Sequence, residues 1–136
     1  HDFIRFVQNL PMDKFDYRYA EGKWTIKEII QHIIDTERIF AYRALRISRN
    51  DQTPLPGFDE NDFANNTVAQ TRGLQDLLTE FSAVRHSNLL LFKSFSNEQL
   101  LQVGIASEHS ISVRPIGFIL IGHQKYHQKV FEERYL

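Results

Sequence analysis

Two histidines, His123 and His127, lie four residues apart near the end of the chain. On a helix of about 100° per residue they share one face, and that face is apolar. An imidazole buried among apolar side chains costs free energy unless it is hydrogen-bonded or bound to a metal ion. Side chains at positions i and i+4 are neighbours on a helix and can reach one ion together. The pair therefore predicts a metal site. The apolar residues of the face are Ile116, Ile119, Leu120, Val130 and Phe131, with Lys125, Gln128 and Glu132 opposite.

A third histidine, His32, is the best candidate to complete the site. It lies at the edge of an isoleucine-rich arc on a second predicted helix. A histidine at a core boundary is by itself more often packed or hydrogen-bonded than bound to a metal. The i, i+4 pair on another helix shifts that balance towards a ligand. His86 and His109 are predicted to be exposed, because His86 lies opposite the leucines of its helix and His109 lies in a loop.

Asp35 lies one turn after His32 on the same side of the predicted helix. Its carboxylate has three interpretations. It is a fourth metal ligand, an acceptor that orients a ligand histidine or takes a proton, or a surface carboxylate that pairs with Arg38. The sequence leaves these alternatives open.

The chain has no cysteine, so thiolate ligands and disulfides are excluded. Three neutral imidazoles suit Zn, Ni, Fe or Cu, and they leave coordination positions for water or substrate. Open positions are typical of catalytic sites. We therefore expect one divalent transition metal, with Zn or Ni favoured.

Composition places the 136 residues in one domain, residues 1–136, with a net charge of −1. This balance argues against a nucleic-acid partner, and no stretch is long and apolar enough for a membrane span. We expect a cytoplasmic protein.

Because the chain opens at His1 without a methionine, we expect its first helix to lack its beginning. Mixed charges around Arg38, Arg43 and Arg46 favour a solvated helix face.

Hydrophobic periodicity predicts four main helices, over about 2–10, 25–49, 71–95 and 112–134. The motif Thr25-Ile-Lys-Glu28 is a capping box that starts the second helix. A similar pattern after Ser96 predicts a short helix that Gly104 ends. Residues 50–60 are predicted as a loop and residues 105–111 as irregular or weakly extended. The fold class is therefore all-α, an up-down four-helix bundle.

Five motifs follow one another along the chain: Trp24-Thr-Ile-Lys-Glu-Ile-Ile-Gln-His-Ile-Ile-Asp35, Glu37 to Arg46, Pro56-Gly-Phe-Asp-Glu60, Gly122-His-Gln-Lys-Tyr-His127 and Glu133-Arg-Tyr-Leu136. Together, in this order, they resemble the DinB-like (YfiT-like) superfamily. The resemblance implies a four-helix bundle in which His32, His123 and His127 bind one divalent metal. One departure is Tyr126, because relatives often carry a second histidine there.

The same resemblance implies a function on small molecules. Some members of the family are thiol S-transferases or isomerases that use a low-molecular-weight thiol such as bacillithiol or mycothiol, and others are called metal-dependent hydrolases. Bundles of this type often pair, which suggests a homodimer. We therefore expect a metal-dependent transferase or hydrolase. The alternatives are a non-catalytic, metal-stabilised bundle that serves as an interaction or stress-response module and, more weakly, haem binding by the same histidines.

Overall fold

A computed structural model of the chain describes residues 2–11 and 23–135, so His1 and Leu136 lie outside it. The main helices are those predicted, with ends shifted by up to four residues. A 3-10 helix over Ala69–Thr71 precedes the third of these four main helices, and a π-helical turn over Phe131–Tyr135 follows the fourth. The named elements are α1 Asp2–Gln8, α2 Ile26–Ser48, α3 Glu60–Asn65, α4 Leu74–Lys93, α5 Asn97–Leu101, β1 Val103–Ala106, β2 His109–Ser112 and α6 Val113–Val130.

Helix α2 begins where its capping box predicts. The Thr25 hydroxyl accepts a hydrogen bond from the Glu28 backbone N–H at 3.2 Å, and the Glu28 carboxylate accepts one from the Thr25 N–H at 2.9 Å. Ser96 and Gln99 form the same reciprocal pair at the start of α5. Each pair satisfies backbone donors that a helix leaves unpaired at its N-terminus.

Helices α2 and α4 run parallel to each other. Arg72 binds Gln31 near the start of both helices, and Arg38 binds Glu80 about two turns further along both. The predicted all-α four-helix bundle is confirmed. The direction of the helices nevertheless does not alternate between α2 and α4, because the long connection over residues 49–73 carries the chain back to the same end.

Helix α6 runs antiparallel to α2. His32 contacts His123, and the Tyr135 hydroxyl donates a hydrogen bond to the backbone carbonyl of Trp24. Later residues of α6 therefore lie beside earlier residues of α2. This direction brings the two histidines of α6 to the first third of α2.

The main core lies at the same end of the bundle as the histidines. Phe3 of α1 packs against Phe81 of α4 with ring centroids 5.1 Å apart. Each fully buried aliphatic or aromatic side chain contributes roughly 1.5–3 kcal/mol. Ile119 was predicted in the apolar face of α6 but is 39% exposed, because the described helices do not cover that edge. The core residues are Phe3, Val7, Leu10, Ile26, Ile29, Ile30, Ile33, Ile34, Leu77, Leu78, Phe81, Val84, Phe131 and Tyr135.

A β-hairpin occupies the segment over residues 105–111 that was predicted as irregular or weakly extended, so the extended alternative is the correct one. Strands β1 and β2 pair antiparallel. Leu55, in the connection over residues 49–73 (the crossover), bridges to Ala106 of β1. The short helix α5 ends at Leu101, and Gly104 lies in β1 rather than at a helix end. A side chain at Gly104 would meet Ile47 at 2.6 Å, so the glycine permits close approach of the hairpin to α2.

The crossover predicted as a loop also contains a helical segment. Helix α3 starts after Asp59, whose side chain accepts a hydrogen bond from the Asp62 N–H at 3.0 Å. No helix within residues 2–11 and 23–135 combines the length and the apolar character that a membrane crossing requires.

Candidate metal centre

Three histidine side chains converge between α2 and α6. The Nε2 atom of His123 lies 2.9 Å from Nε2 of His32 and 3.0 Å from Nε2 of His127. All three donor atoms lie within 4.8 Å of one another. The structure thus brings together the three residues singled out in the sequence, although 91 positions separate His32 from His123.

The backbone positions of these residues explain the convergence. His32 lies on the second turn of α2, whose start the capping box holds in register. His123 and His127 lie on successive turns of α6, where side chains four residues apart are adjacent. His32 is buried and the other two are partly buried, so the site opens towards solvent on the α6 side.

The nitrogen set fits a bound transition metal. Metal–imidazole bonds are about 2.0–2.1 Å long, and two such bonds meeting at 90–110° separate their nitrogens by roughly 2.9–3.4 Å. The observed separations of 2.9 and 3.0 Å fall in this range. Three imidazoles without a thiolate are also a donor set that suits Zn, Cu, Fe or Ni.

The electrostatic surroundings keep all three imidazoles neutral. Burial lowers the pKa of His32 to about 4. Burial and then His32 lower the pKa of His123 to about 4, with Glu60 acting in the opposite direction. Burial and the two other histidines lower the pKa of His127 to about 3. Neutral imidazole is the form that binds a metal, so these residues are ready as ligands near pH 7.

Aromatic rings and one unsatisfied nitrogen surround the centre. The indole of Trp24 packs on the His32 ring with centroids 4.9 Å apart, and the Tyr126 ring contacts His127 at 5.1 Å. Nδ1 of His127 is buried and has no hydrogen-bond partner within the described part of the chain. The Trp24 indole thus restricts the orientation of the His32 ring by packing.

Asp35 does not join the group of donor atoms that the described residues form. Its carboxylate accepts a hydrogen bond from the Gln31 amide at 3.0 Å, and Gln31 in turn accepts one from Arg72 at 2.7 Å. Burial raises the pKa of the Asp35 carboxyl, while the Gln31 hydrogen bond opposes the shift. Arg38, the predicted salt-bridge partner, binds Glu80 instead at 3.0 Å. A role for Asp35 in proton transfer stays a prediction.

The crossover adds residues that sequence reasoning did not assign to the site. Glu60, at the start of α3, is close enough for its charge to act on His123. The crossover is anchored by Arg43, which donates hydrogen bonds to the Pro56 carbonyl and the Ser107 hydroxyl, each at 3.1 Å. Arg43 is buried, so the predicted solvated helix face is wrong at this position. The local pattern of mixed charges carries no information about a loop that folds over the helix.

A cleft of about 230 Å³ opens beside His127. Its walls come from the end of α6 and the π-helical turn after it, from the start of α2 and the residues before it, and from the start of α3. Sequence reasoning missed it because its residues are far apart in the chain. The lining residues are Lys23, Trp24, Ile29, Asn61, Tyr126, His127, Val130, Arg134 and Tyr135.

The other two described histidines lie away from the centre. His86 and His109 are exposed, as predicted. A more apolar groove of about 280 Å³ lies between α4 and α6, lined by residues such as Leu89, Phe92 and Phe118. None of the three clustered histidines lines that groove, whereas His127 lines the cleft described above.

Known proteins with similar sequences or structures include a curated relative and a solved structure. A protein of Oceanobacillus iheyensis named "Putative metal-dependent hydrolase" is 30% identical over 59 residues, which are 43% of this chain and 34% of that protein. The present chain thus aligns with about a third of its curated relative's length.

YfiT from Bacillus subtilis, described as "a probable metal-dependent hydrolase with an unusual four-helix bundle topology", has a similar fold. The TM-score is 0.74, with 13% identity, over 95% of this chain and 74% of that one. At this identity the likeness shows the fold alone. The sequence model of the DinB superfamily matches residues 1–131, which is nearly the whole chain. The protein therefore belongs to the DinB superfamily.

Proposed function

We propose that this protein binds one divalent transition metal, Zn or Ni, through His32, His123 and His127. We further propose that it uses the ion in a hydrolysis or thiol S-transfer reaction on a small molecule. The observation that carries the proposal is the approach of the three Nε2 atoms, with two separations of 2.9 and 3.0 Å. A hydrogen bond between two imidazoles would account for one of these separations but not for both, because Nε2 of a neutral imidazole has either one N–H or one lone pair.

The opening beside the centre favours catalysis over a purely structural ion. When bound, a divalent ion with open positions lowers the pKa of a water or thiol nucleophile towards neutrality. The chain itself contributes three fixed neutral nitrogens, and Trp24 holds the His32 ring. The cleft that reaches His127 provides room for a substrate of modest size. The name of the Oceanobacillus relative also supports hydrolysis.

Metal content after substitution of a ligand tests the site. We expect His123→Ala to lose stoichiometric Zn or Ni, measured by elemental analysis of the purified protein. His86→Ala is the matched control because His86 is exposed and lies on another helix. Full metal content in His123→Ala would refute the assignment.

Thiol dependence separates the two reaction classes. The metal-loaded protein is incubated with an aryl halide and, separately, with an aryl ester, each with and without bacillithiol. If the aryl halide is consumed only when the thiol is present, the result supports S-transfer. Cleavage of the ester at the same rate with and without the thiol supports hydrolysis. We expect the His123→Ala variant to lack either activity.

The second candidate is a non-catalytic bundle in which the metal joins α2 to α6. It is favoured by the burial of His32 in the bundle, where an ion would act as a cross-link. This candidate predicts metal-dependent stability without turnover in either assay. A small-molecule substrate, a thiol co-substrate, a homodimer and a cytoplasmic location remain predictions of the family resemblance and the composition.

A further inference from the structure

The groove between α4 and α6 is formed by one apolar face of each helix. Leu89 and Phe92 of α4 line one side, and Phe118 and Ile121 of α6 line the other. Residues three apart lie side by side on a helix, so each pair forms a continuous apolar wall. A side chain at Gly117, which also lines the groove, would meet the Phe92 ring at 3.0 Å. A larger residue at this position would therefore narrow the space between the walls.

These walls are largely open to solvent. Phe118 is 72% exposed, Leu89 is 47% exposed and Ile121 is 43% exposed. Single exposed apolar residues are common, but a group of them around a concave space marks a binding site. The groove has a volume of about 280 Å³, which lies near the lower end of the range for small-molecule pockets. Its size and its walls therefore suit a small molecule with an apolar body.

One end of the groove carries a positive charge that is not compensated. Arg114 lines the groove and lies in the first turn of α6, which contains no acidic residue. Ser112, the N-cap of α6, makes no side-chain hydrogen bond to the helix. Within residues 2–11 and 23–135, no carboxylate pairs with Arg114 and none lines the groove. The guanidinium and the positive end of the helix dipole therefore favour an anion at this end.

At the opposite end of the groove, the positive charge is already paired. Arg85 lines the groove there, and its guanidinium forms the buried ion pair with Glu37. It also donates a hydrogen bond to Gln124, about three turns after Arg114 on α6. From Arg114 to Ile121 the groove extends about 10 Å along the helix axis. The groove thus combines an elongated apolar space with one available cation at one end.

We propose that the groove binds an unbranched carboxylate of medium chain length, such as octanoate. The carboxylate lies at Arg114, and the aliphatic chain lies between the two walls and points towards Arg85. A ligand with one anionic head and one apolar tail is the chemistry that this distribution of charge recognises. None of the three clustered histidines lines the groove, so this site is separate from the metal centre and does not rest on the proposed function.

Isothermal titration calorimetry of the metal-loaded protein tests the class of ligand. The probes are octanoate, octanamide as a neutral molecule of nearly the same shape, and butyrate as an anion with a shorter chain. We expect octanoate to bind saturably and octanamide to bind about 2- to 5-fold more weakly, because it lacks the charge. We expect butyrate to bind at least about 10-fold more weakly than octanoate, because it buries fewer methylene groups.

The variant Arg114→Gln tests the cation. We expect it to bind octanoate about 2- to 5-fold more weakly than the unmodified protein and to bind octanamide equally well. Lys125→Gln is the matched control, because Lys125 lies on the same helix, carries the same charge and lines a different cleft. We expect this control to bind octanoate like the unmodified protein.

The variant Phe118→Ala tests the apolar wall. Because Phe118 is largely exposed, its substitution leaves the core intact. We expect it to weaken the binding of octanoate and octanamide alike, by about 2- to 5-fold. Tyr126→Ala is the matched control, because Tyr126 is an exposed aromatic residue of the same helix that lines the cleft beside His127. We expect this control to bind both ligands normally.

The proposal is overturned if octanoate does not bind, or if octanoate and octanamide bind equally well. A loss of octanoate binding in Lys125→Gln as large as in Arg114→Gln would also overturn it. A loss in Tyr126→Ala as large as in Phe118→Ala would place the ligand beside His127 and would overturn it as well.

Two further measurements separate the groove from other sites. The titrations are repeated after chelation, and an unchanged affinity for octanoate supports the groove whatever the metal content of His123→Ala. Loss of binding on chelation would place the carboxylate on the metal and overturn the proposal. Sedimentation velocity without ligand tests a second copy of the chain as the occupant. A dimer that Phe118→Ala dissociates would overturn the proposal, and a sedimentation coefficient that the substitution does not change supports it.

Discussion

Glu37 on α2 and Arg85 on α4 form an ion pair in the interior of the bundle, with side chains that are 2% and 10% exposed. Asn88 donates a second hydrogen bond to the Glu37 carboxylate at 2.9 Å, and Arg85 also donates to the Gln124 side chain at 3.2 Å. Three helices therefore meet at one buried polar network. Removal of one partner would leave a charge without compensation in a poorly hydrated place.

The first prediction concerns this pair. We expect Arg85→Ala to lower the free energy of unfolding by about 3–5 kcal/mol, because Glu37 stays buried without its cation. Urea unfolding followed by circular dichroism measures the loss. Arg38→Ala is the control, because the Arg38–Glu80 pair is largely exposed on its arginine side and should cost less than about 1 kcal/mol. Equal losses in the two variants would contradict this prediction, because the buried pair would then contribute no more to the free energy of unfolding than the exposed pair.

The second prediction concerns acid. In the metal-free protein, the pKa values of His32 and His123 are about 4 and that of His127 is about 3, all below the ordinary 6.5. Below pH 6.5 the unfolded chain therefore binds more protons than the folded chain, so stability is full above this pH and falls as the pH decreases. Each histidine contributes a slope of up to about 1.4 kcal/mol per pH unit.

Urea unfolding of chelated protein between pH 8 and pH 5 checks this pH dependence. We expect a constant free energy of unfolding from pH 8 to pH 7 and a decline towards pH 5. His127→Ala should show a shallower decline, because one imidazole with a lowered pKa has been removed. A profile that is flat down to pH 5 would contradict the neutral, buried state of the three rings.

The third prediction concerns metal removal. A ligand that binds only the folded state at 100 times its dissociation constant stabilises that state by about 2.7 kcal/mol. We expect Zn or Ni to raise the thermal midpoint of the chelated protein by several degrees and to have no such effect on His32→Ala. The comparison is made within each variant, so a cavity left by the substitution does not affect it. An equal shift in both proteins would place the metal elsewhere.

The fourth prediction compares two glycines of α6. A side chain at Gly117 would meet the Phe92 ring at 3.0 Å, whereas one at Gly122 would meet nothing within 4 Å. Alanine is favoured over glycine inside a helix by about 1 kcal/mol. We expect Gly122→Ala to stabilise the protein by about that amount, and Gly117→Ala to gain less because Phe92 must move. Thermal unfolding of both variants measures the order, and a more stable Gly117→Ala would contradict it.

Local patterns predicted much of the secondary structure. The capping boxes at Thr25 and Ser96 mark the starts of α2 and α5, because a cap depends on residues within one turn. The hairpin was missed because strand pairing joins residues across a turn. In addition, apolar and polar residue types do not alternate clearly in either four-residue strand, VGIA or HSIS. Helix α3 was missed because its six residues are too short for a periodic signal.

The sequence by itself determined the helical class, the DinB resemblance and the pairing of His123 with His127, since spacing on one helix follows from helical geometry alone. Only the tertiary structure decided that His32 meets His123 at 2.9 Å, that α2 and α4 run parallel, and that Asp35 binds Gln31 rather than joining the cluster. Lys23 and Arg134 likewise reach one cleft through folding alone. The physical reason is that periodicity identifies which face of a helix is buried, but not which helix covers it, in which direction or in what register.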